Sequence, residues 1–149
     1  MKTCKLLREQ VAAATGSKKA ELVLKNAQIV NVFTQSVETG DIAIEGGYIV
    51  GIGNYEGITE KDLGGAYVCP GFLDGHIHIE SSMTSPGEFE RAVVPHGTIA
   101  VITDPHEIAN VAGTAGIRFM MQSAQKLDLD VYFMLPSCVP ATDLDESGA

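Results

Sequence analysis

Cysteine is scarce in this 149-residue chain. Cys4, Cys69 and Cys138 are an odd number, widely separated and without CxxC spacing. That argues against a disulfide framework and a thiolate zinc site, and favours a reduced, cytoplasmic setting. Runs of positive charge are missing too. Lys and Arg total 10 against 19 Asp and Glu, giving a formal net charge of -9 and a pI near 4.7, so nucleic acid is not an expected partner. No apolar stretch reaches the ~18–20 residues that span a bilayer. The opening MKTCKLLREQVAAATG has no long apolar region of the secretory kind and reads as a short amphipathic helix within residues 1–20. Neither GxGxxG nor the Walker GxxxxGKS/T pattern occurs, so nothing supports a nucleotide-phosphate loop. The GxSxG elbow and the HxE…PCxxC signature are absent as well.

What is present suits a folded domain. Hydrophobic residues make up 45% of the chain and charged residues 19%, with no low-complexity tract or repeat of 20–50 residues. Residues 21–55 read as one unit of short strands. ELVLKNAQIVNV alternates apolar positions around a polar turn at Lys25–Asn26, and DIAIEGGYIVGIG reads as two strands joined by Gly46–Gly47. YEGITEKDLGGA, rich in glycine and charge, reads as a connecting loop. From Tyr67 the pattern changes. YVCPGFLDGHIHI predicts a mostly apolar strand, and SPGEFERAVVPHG a helix capped by Ser85, begun at Pro86 and closed by Gly97. TIAVITD predicts a strand buried on both faces. EIANVAGTAGIRFMMQSAQKLD predicts a helix with Ile108, Val111, Ile117, Met120 and Met121 along one side, and VYFMLPSCVP a third buried strand. Alternation of this kind predicts βαβ units around a parallel sheet, an α/β fold.

Two places concentrate chemistry. In PGFLDGHIHIESSM, His76 and His78 are two apart on a strand, so both imidazoles face the same way and can meet one metal ion. A buried apolar strand is a poor home for two imidazoles unless something satisfies both. Asp74 falls on the same face, either orienting a ligand or sitting in water at the strand end. In ITDPHE, Asp104, His106 and Glu107 gather at the end of the next strand, and Pro105 keeps Asp104 extended. Asp104 as a helix cap and Glu107 as a charge at the helix start are the plainer alternatives. Glu80 faces either the same rim or solvent. Arg91 and Arg118 read as solvent-facing helix positions.

These strings resemble a known family. PGFLDGHIHIE resembles the first-strand motif of the amidohydrolase superfamily, whose two histidines are metal ligands. The upstream strands resemble the small β-sandwich that precedes the barrel in many members. HIHIESSMTSPGEFERAVVPHGT followed by VITDPHEIANV resembles, more narrowly, the bacterial adenine deaminase family. That resemblance spans roughly residues 20–140 and departs slightly at Ile99–Ala100, where threonines are usual. It implies a partial TIM (β/α)8 barrel of about three strands over residues 69–149, preceded by part of the β-sandwich at 21–68. It also implies His76 and His78 as metal ligands, with Asp74, Asp104, His106 and Glu107 binding substrate or supporting the metal shell.

The implied cofactor is a divalent metal, Mn2+ or Fe2+ with Zn2+ as the alternative, in a binuclear centre of the full enzyme. The implied reaction is hydrolytic deamination of adenine to hypoxanthine and ammonia, in purine salvage or adenine catabolism. The expected partner is a small purine, with self-association of the complete enzyme and no membrane. A complete barrel takes ~250 residues, so the chain is expected to be the N-terminal part of a longer enzyme and inactive alone. The catalytic acid and base would then lie beyond Ala149. The alternatives are a cyclic amide hydrolase of the dihydroorotase or imidazolonepropionase kind, and a non-catalytic metal-binding fragment.

Overall fold

The computed structural model of the chain describes residues 3–136. The chain forms two compact units, Met1–Pro70 and Gly71–Ala149. Among the described residues no helix is long and apolar enough to cross a membrane.

In the first unit, helix α1 (Cys4–Ala14) starts where the Thr3 hydroxyl accepts the Leu6 N–H at 3.4 Å. Strands β1 (Ala20–Asn31) and β2 (Ser36–Glu45) are antiparallel, and β2 continues into β3 (Tyr48–Gly53) as a hairpin. The hairpin turns on Gly46 and Gly47, with φ of 57° and 76°. Positive φ at both turn positions is what a two-residue hairpin requires and what glycine adopts freely. On the other side of β1 run two parallel strands. β4 (Gly57–Asp62) pairs with Ala20–Lys25, and β5 (Tyr67–Val68) with Gln28–Ile29. The result is a five-stranded mixed sheet.

Strand β4 corrects the expectation of a loop at YEGITEKDLGGA. All of its residues after Gly57 are exposed, so it carries no hydrophobic alternation. Backbone pairing to β1 makes it a strand, and sequence patterning does not register that pairing. The apolar residues of this unit form two clusters. Ala13, Ala20, Val23 and Ala43 pack with Val50 and Tyr55, and Ala27, Ile29 and Ile42 pack with Leu24, Ile44, Leu63 and Val68.

The polar turn expected at Lys25–Asn26 is instead a bulge within β1, which runs on to Asn31, and a buried carboxylate anchors it. Asp41 is 5% exposed and ion-pairs with Lys25, while the backbone N–H groups of Asn26 and Tyr55 donate to it at 3.1 and 3.4 Å. Burial pushes the Asp41 carboxyl up, yet Lys25 and the two N–H donors together hold it below its usual 3.8. Glu45 is held below its usual 4.5 by the Lys18 ammonium at 2.8 Å, against the opposing effect of burial. Both carboxyls therefore bind protons less readily folded than unfolded. Their stabilisation is complete above the unfolded values and is lost as pH falls through the lowered folded ones. Lys18 and Lys25 are raised from 10.5 by these same hydrogen bonds, so their contribution is present below that value and lost as pH climbs through the raised ones. The melting temperature of the first unit is expected to be flat from about pH 5 to 10 and to fall on either side. In Asp41→Asn the acid limb should flatten. Thermal melts across pH check this, and an unchanged acid limb in that variant would remove Asp41 as its cause.

The second unit is a three-stranded parallel sheet, β6 (Phe72–Ile77), β7 (Thr98–Thr103) and β8 (Asp130–Phe133), in that order. Helix α2 (Pro86–Val93) connects β6 to β7, and α3 (His106–Ser123) connects β7 to β8. These are the expected βαβ units. Their core is Ile79, Phe89, Val101, Met120 and Leu129.

Four local expectations need adjusting. The single strand predicted from Tyr67 is two: Tyr67–Val68 joins the first sheet and Phe72–Ile77 the second, with Pro70, which has no N–H to give a ladder, between them. Ser85 holds the cap position of α2 without a side-chain cap bond. Burial of the parallel strands is only partial. In β7, Ala100 is buried on one face and Val101 and Thr103 on the other, while Ile99 near its start is 52% exposed. Every residue of β6 before Ile77 is exposed, and Tyr132 of β8 is 56% exposed. Along α3, Met120 is buried and Ile108 packs on the core, but Val111 and Met121 are exposed. Gly113, at φ 57° and ψ -146°, interrupts the helix. Spacing counted across that break does not stay on one face. Of VYFMLPSCVP, the part from Ser137 onward lies outside the described residues.

Candidate metal centre

The ends of β6 and β7 are level. Ile77 pairs with Thr103, and the Asp104 N–H donates to the Ile77 carbonyl at 3.0 Å. His76 lies next to last in β6, and His78 follows its end. Strand periodicity turns both rings the same way, as expected. The two Nε2 atoms are 3.2 Å apart, with ring centroids at 4.9 Å and planes at 83°.

The backbone across the gap sets the state of His78. Its Nδ1 lies 2.8 Å from the Asp104 carbonyl oxygen. A carbonyl only accepts, so Nδ1 carries the proton and Nε2 keeps its lone pair. A carbonyl that holds the far nitrogen in this way is the usual support of a ligating histidine. The Asp104 carboxylate completes a cluster in which one ligand atom each from His76, His78 and Asp104 lie within 4.8 Å of one another. Two imidazole nitrogens and a carboxylate oxygen suit a divalent cation.

The remaining residues singled out from the sequence divide. His106 joins the cluster. Its Nδ1 is 3.4 Å from Asp104 Oδ2, and its ring meets that of His78 edge-on at 4.4 Å. Asp104 does not cap α3, whose cap position is Pro105. Asp74 is exposed, and its Oδ1 accepts the His76 N–H at 3.0 Å, tying down the backbone before the first imidazole. Glu107 sits in the first turn of α3 and accepts the Ser81 hydroxyl at 2.6 Å. Glu80 Oε1 accepts the Ile108 N–H at 3.3 Å. The 3-10 turn Ile79–Ser82 is thereby fastened to the start of α3 by two side-chain bonds. The Ser81–Glu107 bond joins residues 26 apart and had no signal in the sequence. Arg91 and Arg118 are exposed, as read.

A three-stranded parallel α/β sheet with His-x-His at the end of its first strand has the arrangement of a partial barrel with a metal site at its mouth. Residues 67–149 match the amidohydrolase family, and the chain belongs to it. More narrowly, the chain is 59% identical to adenine deaminase 2 of Carboxydothermus hydrogenoformans over 97% of its length. It is 58% identical to adenine deaminase of Geobacillus kaustophilus over 96%, and 49% identical to that of Listeria monocytogenes over 99%. The chain spans about a quarter of the length of these relatives, 25%, 25% and 26% respectively. Among solved structures it resembles an N-acyl-D-glutamate deacylase of Bordetella bronchiseptica, solved with zinc and a phosphonate inhibitor. The TM-score is 0.59 at 18% identity, over 79% of this chain and 30% of that one, a likeness of fold.

Proposed function

We propose that this chain carries the opening part of the metal centre of a hydrolase that deaminates adenine to hypoxanthine and ammonia. The observation that carries the reading is identity of 49–59% to relatives named adenine deaminase along almost the whole chain, with His76, His78 and Asp104 inside the matched region. In the net reaction a water oxygen replaces the exocyclic nitrogen at C6 and ammonia departs.

His76 and His78 bring their Nε2 atoms within 3.2 Å of each other, where each can offer a lone pair to one cation. The Asp104 carbonyl keeps His78 in the tautomer that does so, and Asp74 holds the backbone ahead of His76. A divalent cation held there supplies the Lewis acidity that makes water a nucleophile near neutral pH. His106, beside Asp104, and Glu107, at the start of α3, are assigned to the purine pocket in this reading. Mn2+ or Fe2+ is the proposed metal, in a binuclear centre completed by other parts of the polypeptide. The reaction belongs to purine salvage in the cytoplasm, a setting supported by the unpaired thiols of Cys4 and Cys69.

The test is an assay of ammonia release. A polypeptide of the relatives' length carrying this segment, loaded with Mn2+ or Fe2+, should release ammonia from adenine and leave dihydroorotate closed. The 149-residue chain alone should release none. Ring opening of the cyclic amide with adenine untouched would reverse the substrate assignment.

A further inference from the structure

We propose that Asp104 is itself a ligand of the cation held by His76 and His78, so that two neighbouring strand ends of this chain make a three-donor site by themselves. The proposal rests on the reading of this cluster as a metal centre, and goes beyond the His-x-His pair by adding an anionic donor from the second strand.

Three observations carry it. The first is placement, since a carboxylate oxygen of Asp104 lies within 4.8 Å of the ligand nitrogens of both histidines. The second is an unmet electrostatic need. Among the described residues, Asp104 Oδ1 is buried with no hydrogen-bond partner, and Oδ2 has the long 3.4 Å approach of His106 Nδ1. A carboxylate oxygen shielded from water and left without a donor is costly, and a cation between it and the two imidazoles removes that cost. The third is rigidity. The Asp104 N–H donates to Ile77, its carbonyl accepts from His78, and Pro105 follows it. The backbone is thus tied to the end of β6 on both sides and restricted by the proline, so the side chain leaves from a fixed base. The alternative duty for this carboxylate, capping α3, is not performed. Two neutral nitrogens and one anionic oxygen form a donor set for Mn2+, Fe2+, Co2+ or Zn2+.

The 149-residue chain should therefore bind one divalent cation without any other segment. The experiment titrates the metal-stripped chain with Co2+, following visible absorption, and with Mn2+ by calorimetry, for the parent, Asp104→Asn and His78→Ala. Asp104→Asn keeps the backbone carbonyl that orients His78, so its effect reports the carboxylate. Parent binding at one equivalent is expected, with affinity at least about 10-fold weaker in Asp104→Asn, the low end of what losing even an outer-shell partner costs, and a changed Co2+ spectrum. If Asp104→Asn matches the parent in affinity and spectrum while His78→Ala loses binding, Asp104 is not a ligand and the histidine site stands. If all three bind alike, the metal-centre reading itself is wrong. A parent chain that binds no Co2+ overturns the self-sufficient site. Should circular dichroism show Asp104→Asn unfolded, Asp104→Glu carries the test. It keeps the charge but displaces the oxygens, so a ligand role shifts the Co2+ spectrum and any other role leaves it unchanged.

Discussion

Replacing His78 with alanine should lower divalent-cation affinity by more than about 100-fold, above the 10–100-fold that outer-shell losses cost, while changing fold stability by only about 1 kcal/mol. The two numbers separate because the ring does two different things. Toward the cation it offers Nε2, and a divalent ion left with one imidazole and the Asp104 carboxylate falls below the three protein donors of a stable site. Toward the backbone it makes one hydrogen bond, Nδ1 to the Asp104 carbonyl at 2.8 Å, beside edge-on contacts with the exposed His76 ring and with His106. Removing that bond costs about the net worth of one neutral hydrogen bond. The exposed His76 should behave the same way on the metal side, with a stability change inside about 0.5 kcal/mol. Calorimetric titration beside chemical denaturation measures both. A stability loss of several kcal/mol with metal affinity intact would make these histidines structural.

The largest stability effect should come from the residue immediately after that histidine. Ile79 is fully buried and sits in the core with Phe89, Val101, Met120 and Leu129. Ile79→Ala removes three carbons from a packed site, and the expected cost is about 3 kcal/mol, within the range for large-to-small changes in cores. The same change should loosen the metal centre. Ile79 begins the 3-10 turn whose Glu80 and Ser81 bond to α3, and its neighbour His78 relies on the end of β6 being held level with Asp104. Urea denaturation of the Gly71–Ala149 unit should therefore show a large drop in midpoint, with weaker Co2+ binding alongside. A drop below about 1 kcal/mol would mean that the site collapses around the missing atoms.

Legibility differed from one element to another for physical reasons. Gly46–Gly47 announced its hairpin because that turn needs positive φ twice. β7 was visible as a β-branched run interrupted at Ala100 alone, and the pairing of His76 with His78 followed from the two-residue period of a strand. β4 was invisible because its residues after Gly57 are exposed and its existence depends on a partner more than thirty residues earlier in the chain. The apolar face of α3 was misjudged because one backbone angle at Gly113 shifts its phase. The anchoring of Asp41 by Lys25, Asn26 and Tyr55 was unreadable for the same kind of reason. It joins groups that meet only after the sheet has formed.

By itself, the order of residues determined the alternation of strand and helix after Tyr67 and the shared direction of two imidazoles. Both follow from local periodicities that each residue obeys with its near neighbours. Tertiary structure alone decided that the Asp104 carbonyl holds the proton side of His78 and that the Asp104 carboxylate stands within reach of both rings. Those facts depend on the register of β6 against β7 across a separation of 26 residues. Side-chain spacing along one strand carries no information about how far its neighbour slides before hydrogen bonds lock the pair.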